Sequence, residues 1–142
     1  MDLDKKEILD FAKRQELCVI STCFNEQPES AVVDFIIEDN LDIIFNTYTT
    51  SRKYKNLKTN PNVSFVVGFG ETLQTLQGEG VATELEGHEE SRIINAYKDN
   101  LGFFRRWKIK DMRYFKIRVS WIRLSDFSEY PPKEKELKVD RW

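Results

Sequence analysis

Short runs rich in β-branched and apolar residues, bounded by turn residues, set out a series of strands along the chain. Leu17 to Phe24 is β-branched and apolar on both faces, as in a strand of a closed or covered sheet. Asn25 to Pro28 reads as a turn, Ser30 to Ile37 as a second strand, Glu38-Asp39-Asn40 as a second turn and Leu41 to Thr47 as a third strand. Their short connections predict an antiparallel meander. Val63 to Phe69 and Thr75 to Leu85 give two more strands around Gly70. Gly78 and Gly80 in the second of these predict a kink or a close backbone approach. Arg113 to Leu124 is the last strand, with Phe115, Ile117, Val119 and Trp121 on one face and Lys116, Arg118 and Ser120 on the other. Beyond Trp121, Ile122 and Leu124 fall in the formerly polar register, which predicts a bulge or bend of the kind that curves a barrel.

Helical patterns are few. At the N-terminus, Asp4 reads as a cap, Glu7 as its capping-box partner and Leu3 with Ile8 as a hydrophobic staple. Ile8, Phe11 and Ala12 then form one apolar face. Tyr54 to Thr59 is a short helical segment closed by Pro61. Glu89 to Leu101 is a third, with Ile93, Tyr97 and Leu101 in register and Gly102 as its stop. About six mostly antiparallel strands with helices at the start, in the middle and before the last strand predict a mainly β, α+β fold, a small β-barrel with helices around it. Beyond Tyr130-Pro131-Pro132 the chain is charged, so residues 1–128 read as the domain and 129–142 as a tail.

At 142 residues the chain is long enough for one domain with a real core. Its net charge of −2 argues against a general nucleic-acid or membrane footprint. The apolar runs are too short to span a bilayer. MDLDKKE has no apolar h-region, so no signal peptide is expected and the expected location is cytoplasmic. The two cysteines, Cys18 and Cys23, lack the spacing of a metal site, and no metal is expected. They point to opposite faces of one strand and read as free thiols in a reducing compartment.

Thr50-Ser51-Arg52-Lys53 changes the picture. Helix first turns favour acidic residues, because unpaired N–H groups there carry partial positive charge. This first turn holds Arg52 and Lys53 and no carboxylate. An anion would relieve the repulsion, since N–H groups, a hydroxyl of Ser51 or Thr50 and two cations would converge on a phosphate. The alternative is a solvated basic turn with Ser51 as an ordinary N-cap.

The block IIFNTYTTSRKYKNLKTNPNVSFVVGF favours the phosphate reading, with Ser51 able to serve as contact and N-cap at once. A strand ending in Asn46-Thr47-Tyr48, then Ser51-Arg52-Lys53, a short helix, Asn60-Pro61 and a strand from Val63 to Val67 resembles the pyridoxamine 5′-phosphate oxidase-like family of FMN-binding split barrels. LCVISTCFNEQPESAVVDF resembles the family's first hairpin, and LQGEGVATEL its glycine-containing fifth strand. The resemblance covers the domain without the tail. It implies a homodimer with FMN at the subunit interface. Its phosphate would lie on Ser51, Arg52 and Lys53, and its ribityl chain and ring along Asn46, Thr47 and Tyr48. The ring edge would lie by Val32, Val33 and Asp34, with polar contacts from Thr75 and Gln77. The chain departs from the true pyridoxamine phosphate oxidases at two places. The second strand, Glu29 to Phe35, has no cation, and its one histidine, His88, lies before the middle helix, away from any C-terminal Arg-x-His clamp.

The expected function is therefore an FMN-dependent oxidoreductase of unknown substrate. The alternatives are a non-catalytic flavin carrier or redox sensor, or a related barrel using deazaflavin or haem. Asp34, a carboxylate among apolar neighbours, needs a partner, either a flavin ring N–H or a nearby arginine. His88 reads as a surface residue at a helix start, Tyr54 as packing and Tyr48 as the better candidate for stacking on a ring. Trp121 reads as core. The cluster Arg105-Arg106-Trp107-Lys108-Ile109-Lys110 offers an anion or nucleic-acid surface, or a solvated loop with Trp107 over the barrel. The acidic balance makes nucleic acid the weakest of these, and none is expected as a partner.

Overall fold

In the computed structural model, which describes residues 3–70, 72–99 and 111–139, Asn25 and Glu26 both take positive φ, 49° and 64°. That left-handed pair reverses the chain in two residues, the turn that best matches strand twist. It joins β1 (Leu17–Phe24) to β2 (Gln27–Ile37), with Phe24 opposite Gln27 and Leu17 opposite Asp34. The remaining strands are β3 (Ile43–Tyr48), β4 (Asn62–Val67), β5 (Gln74–Glu84), β6 (Met112–Asp126) and β7 (Lys133–Lys138). The helices are α1 (Leu3–Lys13), α2 (Arg52–Thr59) and α3 (Gly87–Tyr97).

The strand order is β3-β2-β1-β4-β5-β6-β7, and a further β3–β6 pairing closes the first six into an antiparallel barrel. The expected mainly β barrel is thus present. Closure depends on the length of β6. One of its edges serves β3 from Met112 to Ile117 and β7 from Trp121 to Asp126.

Inward residues fill the barrel. Cys18, Ile20, Val33, Phe35, Phe45, Phe65, Leu76, Ile117 and Ile122 belong to one core cluster, which α1 joins through Ile8, Leu9, Phe11 and Ala12. The Phe45 and Phe115 rings stack at 5.4 Å. A side chain at Gly78 would put its Cβ 2.3 Å from the Phe65 ring, so glycine is required for that aromatic to lie flat against β5. A Cβ at Gly80 would lie 2.4 Å from the Arg118 carbonyl oxygen. The close approach read from these two glycines is therefore real. A second, smaller cluster, Ile36, Ile44, Leu85, Ile93 and Tyr114, lies on the outer wall beneath α3. Arg92 ties α3 down by a forked pair of bonds to Glu38, both 3.2 Å.

Three expectations need correction. The register slips between Glu79 and Gly80, which face Trp121 and Val119, so the extra residue is Ser120. This bulge turns Trp121 out of the core face, and Arg123 lies over its ring at 5.0 Å. Side chains inside the barrel change from odd to even positions, Val119 to Ile122, at that point. The charged segment read as a tail is partly β7, because its alternating Lys and Glu pair with β6. α3 runs from Gly87 to Tyr97 with Lys98 as its C-cap, so it starts and ends earlier than read. Leu101, Gly102, the basic cluster 105–110 with Trp107, and Arg141-Trp142 lie outside the described residues.

Candidate functional site

Strand alternation carries one residue set inward and the other onto the barrel's outer wall. On β2, Val33 and Phe35 are buried inside, whereas Val32 and Asp34 face out. On β3, Asn46 and Tyr48 lie on the face opposite Phe45. The chain then turns: the Thr49 amide donates to the Asp111 carbonyl at 2.9 Å and the Ser51 amide to Tyr48 at 3.0 Å. These bonds fix the start of α2 against the end of β3.

Ser51 is the N-cap of α2, extended at φ −76° and ψ 158°. Its Oγ accepts the Tyr54 amide at 3.1 Å and lies 2.8 Å from Thr47 Oγ1. The first turn holds no acidic residue. Its positive end is therefore not neutralised within the helix, as the sequence indicated.

A cavity of about 260 Å³ opens here, and it gathers seven of the expected residues: Val32, Val33, Asp34, Asn46, Thr47, Tyr48 and Lys53. Leu17 and Met112 complete its wall. Val33 packs inside the barrel, so what it offers the cavity is its main chain. Leu17 and Met112 were not singled out from sequence. Only register reveals them, with Leu17 opposite Asp34 and Met112 opposite Tyr48. Leu17 also borders a larger open cleft of about 600 Å³ that runs to Arg14, Phe69 and Thr72.

Burial lowers the pKa of the Lys53 ammonium, since desolvation disfavours its charged form. Among the described residues Lys53 makes no ion pair, so nothing there offsets that cost. Arg52 points elsewhere. Its Nη1 donates to Glu29 Oε2 at 2.9 Å, with the side chain 86% exposed. Asn56, buried in α2, donates to Glu29 Oε1 at 3.1 Å and to Thr22 Oγ1 at 2.9 Å. These bonds, the Asn56 one foremost, hold the Glu29 carboxyl below its usual range.

Asp34 is half-buried and pairs with no arginine among the described residues. Tyr54 packs edge-on against Phe115 at 5.9 Å, as a packing residue should. His88 is exposed at the start of α3. Thr75 and Gln77 lie on β5, away from the cavity. Gln77 sits opposite Val66, and its Oε1 accepts from Arg123 at 3.4 Å. The registers align Val32, Val19, Val66, Gln77 and Arg123 in one row across five strands of the outer wall.

A closed antiparallel barrel with its cavity on the outer wall, beside a cationic helix start, defines a split-barrel protein. Residues 4–126 match the family model of pyridoxamine 5′-phosphate oxidase, and the chain belongs to that family. No curated protein matches the chain significantly. Among solved structures, General Stress Protein 26 from Bacillus anthracis is similar at 26% identity and TM-score 0.72, over 94% of this chain and 98% of that one. A haem-binding protein from Mycobacterium smegmatis superposes at TM-score 0.78 and 16% identity, over 97% of this chain and 59% of that one. HutZ, the haem storage protein of Vibrio cholerae, does so at TM-score 0.69 and 16% identity, over 94% and 92%. The last two share the fold. Among the described residues no helix is long and apolar enough to cross a membrane.

Proposed function

We propose that this cavity binds FMN and that the chain is a flavin-dependent oxidoreductase working as a homodimer in the cytoplasm. The observation that carries the reading is Lys53, a half-buried cation without an ion-pair partner among the described residues, lining a cavity at a helix start without carboxylates. A phosphate monoester satisfies both the ammonium and the first-turn N–H groups. Ser51 and Thr47 hold that turn in place, Tyr48 offers a face for the ring, and Asp34 offers an acceptor for a ring N–H. Bound flavin supplies the hydride chemistry, while the protein orients it and excludes water.

The dimer reading rests on size and surface. A cavity of about 260 Å³ is small for a cofactor site, as such sites usually run to roughly 300–1,000 Å³. Val32 is 55% and Leu17 44% exposed at its rim, and the row from Val32 to Gln77 continues across the wall. A second copy packed on that row would cover the apolar rim and bring its own Thr75 and Gln77 to the ligand.

The test is the visible spectrum of purified protein with and without added FMN, beside Lys53→Ala. Flavin bands that weaken in the variant support the reading. No binding at excess FMN overturns it. A haem reading draws on the two haem-named neighbours and on Tyr48 and Met112, facing residues whose oxygen and sulfur suit iron. A Soret band on hemin titration that is lost in the Tyr48→Phe/Met112→Leu double variant would favour it.

A further inference from the structure

Two cations follow Ser51, but the fold treats them differently. Lys53 lines the cavity, whereas Arg52 is turned to β2 and held by Glu29. That carboxylate is not a passing surface contact. Its second oxygen is fixed by Asn56, and Asn56 is itself fixed by Thr22 inside the barrel wall. Asn56 is 4% and Thr22 2% exposed, so the acceptor that restrains Arg52 is anchored in the core. The three bonds, Thr22 to Asn56 to Glu29 to Arg52, run in one line from barrel interior to helix start.

We infer that Glu29 is a specificity-determining residue of the anion end of this site. By neutralising Arg52 it leaves Lys53 as the cation facing the cavity, and so it weakens a doubly charged phosphate relative to an uncharged end group. A dianion has to draw Arg52 away from an anchored carboxylate, and it approaches that carboxylate's negative charge as it does so. An end group without charge meets neither cost. The inference rests on the flavin reading above, because FMN and riboflavin share a ring and differ in that phosphate.

The experiment measures dissociation constants of FMN and riboflavin by flavin fluorescence for the wild type, Glu29→Gln, Arg52→Ala, Lys53→Ala and the Glu29→Gln/Arg52→Ala pair. Glutamine keeps the oxygen that accepts from Asn56, so the fold is preserved, and thermal melting verifies that. Glu29→Gln is expected to tighten FMN about five- to tenfold, the scale of one charge-assisted contact, and to leave riboflavin unchanged. Arg52→Ala is expected to cost the wild type less than about twofold, and to abolish the whole gain in the Glu29→Gln background. Unchanged or weaker FMN binding in Glu29→Gln overturns the inference while leaving the flavin reading intact. An equal gain for riboflavin also overturns it. Failure of both wild type and Glu29→Gln to bind FMN overturns both readings. FMN binding gained only in Glu29→Gln supports the inference and overturns FMN as the natural ligand.

Discussion

Ser51 Oγ lies 2.8 Å from Thr47 Oγ1 while accepting the Tyr54 amide at 3.1 Å. One hydroxyl thus joins the last turn of β3 to the first turn of α2. Ser51→Ala removes both bonds and leaves a buried threonine hydroxyl with one partner fewer. The expected cost is about 1–2 kcal/mol of stability, read by urea denaturation. On the proposed flavin reading, FMN affinity should fall with it, because the helix start that presents Lys53 is no longer fixed. Ser51→Thr, which keeps the cap, should recover most of both.

Gly78 faces Phe65 across β4 and β5, and a Cβ there meets the ring at 2.3 Å. The neighbour is an aromatic packed in the core, so it has little room to withdraw. Gly78→Ala should destabilise by about 1–3 kcal/mol. The Phe65→Leu/Gly78→Ala pair should be less destabilised than the sum of the single changes, a coupling that a double-mutant cycle would read.

Alkaline pH should unfold the protein through buried acids. Burial pushes the Cys18 thiol up to about 12 and the Tyr114 phenol to about 12. Both ionise more easily in the unfolded chain, near 9.0 and 10.0. Their stabilising effect is complete below pH 9 and is lost as pH rises toward 12. For Cys18 the slope reaches about 1.4 kcal/mol per pH unit. Melting temperature should fall across that window and stay flatter in Cys18→Ala.

Removing residues 131–142 deletes β7 and exposes the β6 edge from Trp121 to Asp126. It also deletes the ion pair between Lys135 and Glu7, which ties β7 to α1. The truncated protein should melt several degrees lower and self-associate through the bared edge. Size-exclusion chromatography at rising concentration would detect this.

The strands were legible because a short β-branched, apolar run bounded by turn residues is a local signal. β1 has the bounds read from sequence, and the glycines of β5 announced a close approach. The helix start at Ser51 was legible because a first turn without carboxylates is itself a local anomaly. What escaped was set by pairing between distant segments. Trp121 left the core face because the bulge falls at Ser120, one residue before the break in the pattern. β7 looked like a tail because its run of Lys and Glu, as suits an edge strand, masks the one side on which Leu137 and Val139 pack against the core. Arg52 and Lys53 are indistinguishable neighbours in sequence, and only the approach of Glu29 from β2 separates their roles.

Among the described residues the barrel interior is packed with side chains, the Phe65 ring over Gly78 among them. The candidate cavity lies outside it, so two vocabularies are written on the same strands in alternate letters. On β2, Val33 and Phe35 spell the packing, while Val32 and Asp34 address the cavity. Either set changes without rewriting the other. Substitutions on the outward set are therefore expected to change what the wall binds at little cost to folding.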